Sequence, residues 1–378
     1  MNFTRTGLVL VASLAIGGCS IPDTAAKGPR PLKDTLELYG VRSEVLPSGD
    51  GEIVVVPVWG ARVMGVMLGG ENALWTTPDL PGKDWNKGGW RTWYAPEGHE
   101  KGVFWDVGFK NWTCPPQVDN GDYRPIAPPR PGVLAYESSF QVTTNDGTPY
   151  SLRFRREIGA LANPLAGDPL WDGLKGRVGF AGVAFAHALQ NRSRTVIDRE
   201  IGLWSLVQVR GRGTAIIPVT EGDGSVKKVY RDYYEPIPED RRALQGGAFT
   251  FFLDGSRRYK VGVPADRTGG LVGWLTKFPS GAGLLLVQRF AVDPAAKYID
   301  RPKDAPATNG DPFQCYNHLS GGPEGFSELE CHAPSVRLEP DGEQVFPVEL
   351  FVYRGDAEDL KKVASKLLGV DVGKVKIF

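Results

Sequence analysis

The sequence predicts an all-β protein, and three observations carry that reading. Short runs rich in Val, Phe, Leu and Tyr recur along most of the chain, each bounded by Gly, Pro, Asn or Asp. Glycine and proline number 48 and 30 among 378 residues, as many turns between short strands require. One convincing helical pattern is present, and it lies at the C-terminal end. Strands this numerous without intervening helices imply a sandwich or a barrel.

The chain opens with MNFTRTGLVLVASLAIGGC, Met1 to Cys19. Arg5 precedes a short apolar run, and Gly17 and Gly18 lead into the cysteine. A secretory signal has this shape. The run is shorter than the roughly 20 apolar residues a membrane span needs. A cysteine directly after the small residues is the mark of a bacterial lipoprotein, so residues 1–18 read as a signal peptide and Cys19 as the lipidation site. An ordinary cleaved signal is the alternative. Lipidation anchors a chain to a membrane without spanning it. Ser20 follows the cysteine, which in enteric bacteria accompanies export to the outer membrane. The expected location is therefore the cell envelope, lipid-anchored, facing periplasm or surface. Residues 19–35 are polar and Pro-containing and read as a flexible tether.

Strand signals then fall at 52–58, 62–68, 133–143, 151–158, 179–190, 195–209, 214–219, 248–253, 258–263, 283–292, 326–338 and 345–353. Asn145-Asp146-Gly147 and Glu221-Gly222-Asp223-Gly224 have the composition of hairpin turns. One β domain thus covers residues 36–355, and residues 356–378 form a helix and tail that pack on it. In that helix Asp356 stands at the cap position, and Glu358 and Asp359 occupy the first turn. Lys361, Lys362 and Lys366 follow, as the macrodipole favours, and Gly369 ends it. Leu360, Val363, Ala364, Leu367 and Leu368 make an apolar stripe.

Charge excludes one class of partner. Lys+Arg and Asp+Glu each total 44, and no basic run is present. Nucleic acid requires clustered cations, so it is not expected as a ligand. Arg210-Gly211-Arg212-Gly213 lacks the Lys-Ser/Thr and helix of a phosphate loop, and the reading implies no cofactor. No Cys/His spacing suggests a metal site. Beyond Cys19 stand Cys114, Cys315 and Cys331, an odd number that leaves at least one thiol unpaired. Cys315 and Cys331 are the best-placed disulfide pair, with buried free thiols as the alternative.

Three stretches, in order, resemble galactose-mutarotase-like (aldose 1-epimerase-like) proteins. They are VVVPVWGARVMGVMLGGENALW from Val54 to Trp75, LQNRS with IGLWS at 189–205, and SELECHAPSVRLEPDGEQVFPVELFV from Ser327 to Val352. The resemblance spans roughly residues 40–355. It implies a large antiparallel β-supersandwich with a sugar-sized groove. It also implies a carboxylate near the C-terminus acting as base in mutarotation, and the matching residue is Glu330. Glu328 lies two residues away, on the same strand face. The same spelling would suit two solvent-facing glutamates on a sheet edge. The family's mid-chain histidine has no counterpart in Gly202 to Gln208, which leaves His332, sharing the glutamates' face, and His99 as candidate acids. His187 alternates with apolar neighbours and reads as a core residue.

Residues 85–112 hold five of the ten tryptophans, interleaved with Arg91, Glu97, His99, Asp106 and Lys110. Sugars offer flat C–H faces that stack on indole, and hydroxyls that Arg and carboxylates bind. Arg91, Trp93, Glu97, Trp105 and Glu328 are the candidate ligand contacts. The leading expectation is a lipid-anchored envelope protein that binds a carbohydrate. A cofactor-free sugar epimerase using Glu330, and a structural envelope lipoprotein with these aromatics as core, are the alternatives.

Overall fold

A computed structural model describes residues 31–80, 82, 86–220, 229–302, 308–319 and 325–377. Cys19, the signal segment and the 221–224 turn lie outside these residues. Among the described residues two large antiparallel sheets make up the molecule. The first has 11 strands, its path running Glu44–Ser48, Gly51–Val56, Arg62–Leu68, Trp90–Ala95, Ile197–Arg210, Phe326–His332, Phe313–Asn317, Tyr259–Val263 and Arg231–Asp232. The second has 10, running Arg242–Gln245, Ala248–Leu253, Gly213–Pro218, Leu271–Lys277, Gly283–Phe290, Glu343–Gly355, Gly179–Asn191, Pro149–Ala160, Val133–Thr143 and Arg124–Pro125. The fold is the all-β sandwich that the sequence predicts.

The period of two decides how each strand is used. Ile53 and Val55 enter a core that also takes Phe154, Val183 and Phe185 from the second sheet. Val54 and Val56 point the other way, where Leu32, Leu36 and Met64 cover them. In the second sheet Leu284 and Leu286 belong to the main core, while Leu285 and Val287 lie under Leu360, Val363, Ala364 and Leu368 of the C-terminal helix. Strands buried on both faces read as continuous apolar runs, which is why GLLLV and EIVVV stand out in the sequence. Leu360→Ala empties a fully buried site between helix and sheet. It is expected to cost about 2–5 kcal/mol, measured as a shift in the urea midpoint.

Strands Arg62–Leu68, Val133–Thr143 and Ala248–Leu253 fall where the pattern puts them. The 326–338 run divides into Phe326–His332 and Val336–Leu338, with Pro334 in the gap, where it has no ladder hydrogen bond to donate. The Asn145-Asp146-Gly147 turn joins Val133–Thr143 to Pro149–Ala160, with Gly147 at φ 86°. The terminal helix runs Ala357–Leu368 and ends on Gly369 in the left-handed region. Asp356 occupies the cap position, yet its side chain makes no capping hydrogen bond.

One expectation needs correction, and one open alternative is decided. The stretch read as a tether to residue 35 overlaps a helix, Leu32–Leu38, because Leu32 and Leu36 at i, i+4 bury themselves on the first sheet. Cys315 and Cys331 are not bonded to each other but are free and buried. They lie on neighbouring strands, but Cys315 pairs with Leu329 and Cys331 with Phe313. Such diagonal neighbours are roughly 7–8 Å apart, whereas a disulfide needs Cβ atoms about 3.8 Å apart.

Candidate functional site

Strand register gathers one set of side chains onto the outer face of the first sheet. Opposite Glu328 and Glu330 stand Gln208 and Leu206 on one neighbour, and Tyr316 and Gln314 on the other. Leu206 faces Arg91, Trp204 faces Trp93, and Tyr316 faces Lys260. Directly paired residues share a face, so Arg91, Trp93, Trp204, Lys260, Glu328 and Glu330 all project to the same side. Leu329 and Cys331, one step out of phase, enter the core.

The segment that follows Trp90–Ala95 closes over this face. Phe104 stacks on Trp93 at 4.4 Å between ring centroids, and Trp105 meets Trp112 edge-on at 5.1 Å. Asp106 fixes the turn between these two tryptophans by accepting from the backbone N–H groups of Lys110 (2.7 Å) and Asn111 (3.0 Å). From the opposite side come Tyr234, Arg258, Tyr316 and His318. The result is a cavity of about 320 Å³ that includes Arg91, Trp93, Glu97, Trp105, Glu328 and Glu330 in its lining.

Two charged arrangements organise the floor. In the first, Arg91 Nη2 donates to Glu328 Oε1 at 2.8 Å, and Gln208 Nε2 donates to the same oxygen at 2.9 Å. The Arg91 guanidinium lies 4.0 Å from the Trp93 ring centroid, and Trp93 Nε1 donates to Asp119 at 2.7 Å. The second centres on Lys260, whose Nζ is 3.0 Å from Glu330 Oε2, 3.6 Å from Asp300 Oδ2 and 4.0 Å from Glu97 Oε2. Trp204 Nε1 also donates to Glu330 Oε2, at 3.0 Å. Oε2 of Glu328, Oε1 of Glu330 and both oxygens of Glu97 accept no hydrogen bond among the described residues.

Burial sets the titration of these groups, and neighbours modify it. Burial pushes the Glu330 carboxyl up to about 7, against the pull of Lys260 and with the help of Glu328 and Asp300. It pushes Glu97 up to about 8, again opposed by Lys260 and reinforced by Asp300 and Glu330. Burial alone would lower Lys260, but Glu330, Asp300 and Glu97 outweigh it and hold the ammonium well above its ordinary value. Two carboxyls at the edge of ionisation beside a fixed cation can give and take protons near neutral pH.

The cavity brings together Arg91, Trp93, Glu97, Trp105, Glu328 and Glu330. The two glutamates are not a solvent-facing edge pair: their strand is interior to the sheet, and both are buried. His332 and His99 stay outside. His332 shares the glutamates' face, but Trp204 stacks on it at 5.2 Å and 19° and seals it from the cavity. Burial lowers His332 to about 3, so it is neutral at physiological pH and cannot serve as a cationic acid. His99 is exposed on the loop beyond Glu97, where its Nδ1 accepts from the Lys101 amide at 3.2 Å. His187 is a core residue, bonded to Thr92 Oγ1 at 2.7 Å.

Lys260, Trp204, Tyr234 and Arg258 escape the sequence reading. Lys260 occupies the outward position between Tyr259 and Val261, the spelling of a solvated strand face. The one signal was its place at the middle of an otherwise apolar strand.

No curated protein sequence matches the chain. Solved structures similar to it include the Slr1438 protein from Synechocystis sp. PCC 6803, at 11% identity and TM-score 0.49, over 82% of this chain and 96% of that one. A galactose mutarotase-like protein from Lactobacillus casei ATCC 334 is similar at 9% identity and TM-score 0.48, over 82% and 100%. A galactose mutarotase related enzyme from Lactobacillus acidophilus is similar at 9% identity and TM-score 0.45, over 84% and 99%. A family model described as a family of unknown function, DUF6786, matches residues 41–378, and the chain belongs to that family.

Proposed function

We propose that the cavity binds a carbohydrate and that the protein does so at the cell envelope, anchored through a lipid on Cys19. The observation that carries the binding reading is the composition of the cavity. Trp105 and Trp112 supply partly exposed indole surface, backed by the buried Trp93 and Trp204, and Glu328 Oε2 and Glu330 Oε1 accept no hydrogen bond among the described residues. Ligand sites of this kind combine an aromatic lining with a few polar groups. Pyranose C–H faces suit the former and hydroxyls the latter. A volume of about 320 Å³ suits one sugar ring.

Tryptophan fluorescence titrated with a panel of mono- and oligosaccharides tests recognition. A saturable change with at least one sugar is expected, and it should weaken at least tenfold in Trp105→Ala. Silence across the panel leaves the structural envelope lipoprotein as the better reading. The anchor is tested separately. Labelled palmitate should enter the wild-type protein in its native host and not Cys19→Ser, which should also leave the membrane fraction.

A second reading is ring opening of the bound sugar with Glu330 as base. It is favoured by the way Glu330 is held. Oε2 is fixed by Lys260 and Trp204, and Oε1 is left for a proton from the ligand. Polarimetry of a freshly dissolved aldose that binds is the measurement, and an unchanged rate with protein present rejects this reading while leaving binding intact.

A further inference from the structure

We propose that Glu97 holds a proton in the resting protein and delivers it to the ring oxygen of a bound aldose, in the place a histidine would otherwise fill. The proposal rests on the ring-opening reading of Glu330.

Charge counting at Lys260 leads to it. Three carboxyl groups, Glu330, Asp300 and Glu97, lie within 4.0 Å of a single ammonium. All of them are screened from water, with the Glu97 side chain 11% exposed and the other two less. If all three were ionised, two negative charges would be left uncompensated in a site of low polarity, and buried carboxylates in that position take up a proton instead. Arg91 does not relieve the excess, because it is committed to Glu328. Glu97 is the farthest from Nζ, and neither its oxygens nor the carboxyl oxygens of Asp300 accept a hydrogen bond among the described residues. Of these two carboxyls it is Glu97 that lines the cavity, where a ligand reaches it. Glu330, by contrast, receives two donors. The groups that face Glu97 are Lys260, Asp300, Glu330 and Glu328, together with Tyr234 and Cys114. Lys260 is the cation paired with Glu97, at 4.0 Å; Arg258 also lines the cavity, where it donates to Tyr234. The shift of the Glu97 carboxyl to about 8 has the same direction.

Position completes the argument. Glu97, on the segment after Trp90–Ala95, and Glu330, on the sheet strand Phe326–His332, both line the cavity, and both reach the same Lys260 Nζ, at 4.0 and 3.0 Å. A pyranose between them can place its anomeric hydroxyl on Glu330 Oε1 and its ring oxygen toward Glu97. Glu330 takes the hydroxyl proton, and the freed electron pair forms the carbonyl at the anomeric carbon. The bond from that carbon to the ring oxygen breaks, and the ring oxygen takes the proton of Glu97. The open chain then rotates about the bond next to the carbonyl and closes on its other face. On closure Glu97 takes back the proton of the attacking hydroxyl and Glu330 gives its proton to the carbonyl oxygen, so both groups return to their starting states and nothing else is consumed. Lys260 stays charged throughout and stabilises whichever glutamate is ionised, a positioning and electrostatic role.

The test has two arms on the full chain. Infrared difference spectroscopy at pH 7 should find a protonated carboxyl band that is absent from Glu97→Gln and fades as the pH passes about 8. In the second arm, polarimetry with the best-bound aldose should give a kcat about 100-fold lower for Glu97→Gln, with fluorescence affinity within a few-fold of wild type. That retained affinity also shows that the isosteric variant is folded. A carboxyl band unaltered in Glu97→Gln, or more than half of the wild-type kcat in that variant, overturns the proposal. A wild-type protein that binds the sugar but does not accelerate its mutarotation overturns the ring-opening reading on which delivery depends. The two failures are told apart because the infrared arm needs no turnover.

Discussion

Lys260→Met is expected to lose about 3–5 kcal/mol of stability at pH 8 and to recover much of it at pH 5. Lys260 is 3% exposed and is the shared partner of Glu330, Asp300 and Glu97. Methionine keeps most of the volume, so the loss reports charge more than packing. The sign follows from proton uptake. Glu330 and Glu97 already have raised values in the folded protein, about 7 and about 8, with Lys260 opposing the rise. Without the ammonium those values rise further. The folded state then binds more protons than the unfolded chain across the interval above the ordinary carboxylate range. Stability therefore falls as pH rises through that interval and returns as pH falls below it. Urea unfolding of wild type and variant at both pH values measures the difference. An equal loss at pH 5 and pH 8 would show that the side chain acts by packing alone.

Glu330→Gln is expected to reduce aldose ring opening by about 10²–10⁴-fold, the range for removal of a positioned base. Sugar affinity should stay within about tenfold, because the amide retains an acceptor in the cavity and Lys260 keeps Asp300. A wild-type rate in this variant rejects the base assignment. The same substitution should act on Glu97, since Glu330 is one of the charges that raise it. For the wild type, kcat/KM should rise as Glu330 ionises near pH 7 and fall as Glu97 loses its proton near pH 8. In Glu330→Gln the residual activity should lose the rising limb, and the falling limb should move to lower pH. A profile that leaves the falling limb in place separates it from Glu97.

The cavity divides into a part that the linear chain announces and a part that it hides. Arg91, Trp93, Glu97 and Trp105 stand in one short stretch dense in tryptophan, a composition that already resembles a ligand lining. Glu328 and Glu330 are marked by their spacing of two and by their likeness to a known strand. Trp90–Ala95, which carries Arg91 and Trp93, gives no strand signal in the sequence, although it is fully buried in the sheet. Its mixture of Trp, Arg and Thr lacks the alternation of a half-solvated sheet, because both of its faces are covered. Phe313–Asn317 and Leu271–Lys277 give no strand signal for a related reason. Each is short and bears Gln, Asn or Gly at positions that burial by neighbours later claims.

The histidines make the sharper case. Spacing places His332 on the face of Glu328 and Glu330, and that placement holds. Spacing is silent about Trp204, which comes from a strand more than a hundred residues earlier and lies directly across from His332 in the ladder. The indole fills the space through which the imidazole would reach a ligand. Lys260 is the converse. Its strand pattern assigns it to a solvated face, and the loops bearing Glu97 and Asp300 take that solvent away.

The sequence by itself determined the strand-rich class, the terminal helix with its apolar stripe and left-handed glycine stop, and, in the strands it marks, which residues share a face. Those properties depend on local backbone geometry and on a period of two, which neighbouring residues carry. Only the tertiary structure decided what covers each side. Segments distant in the chain bury Lys260 among three carboxyls, seal His332 beneath Trp204 and close a cavity over Glu330, because solvent exclusion is a property of the packed whole and no short stretch encodes it.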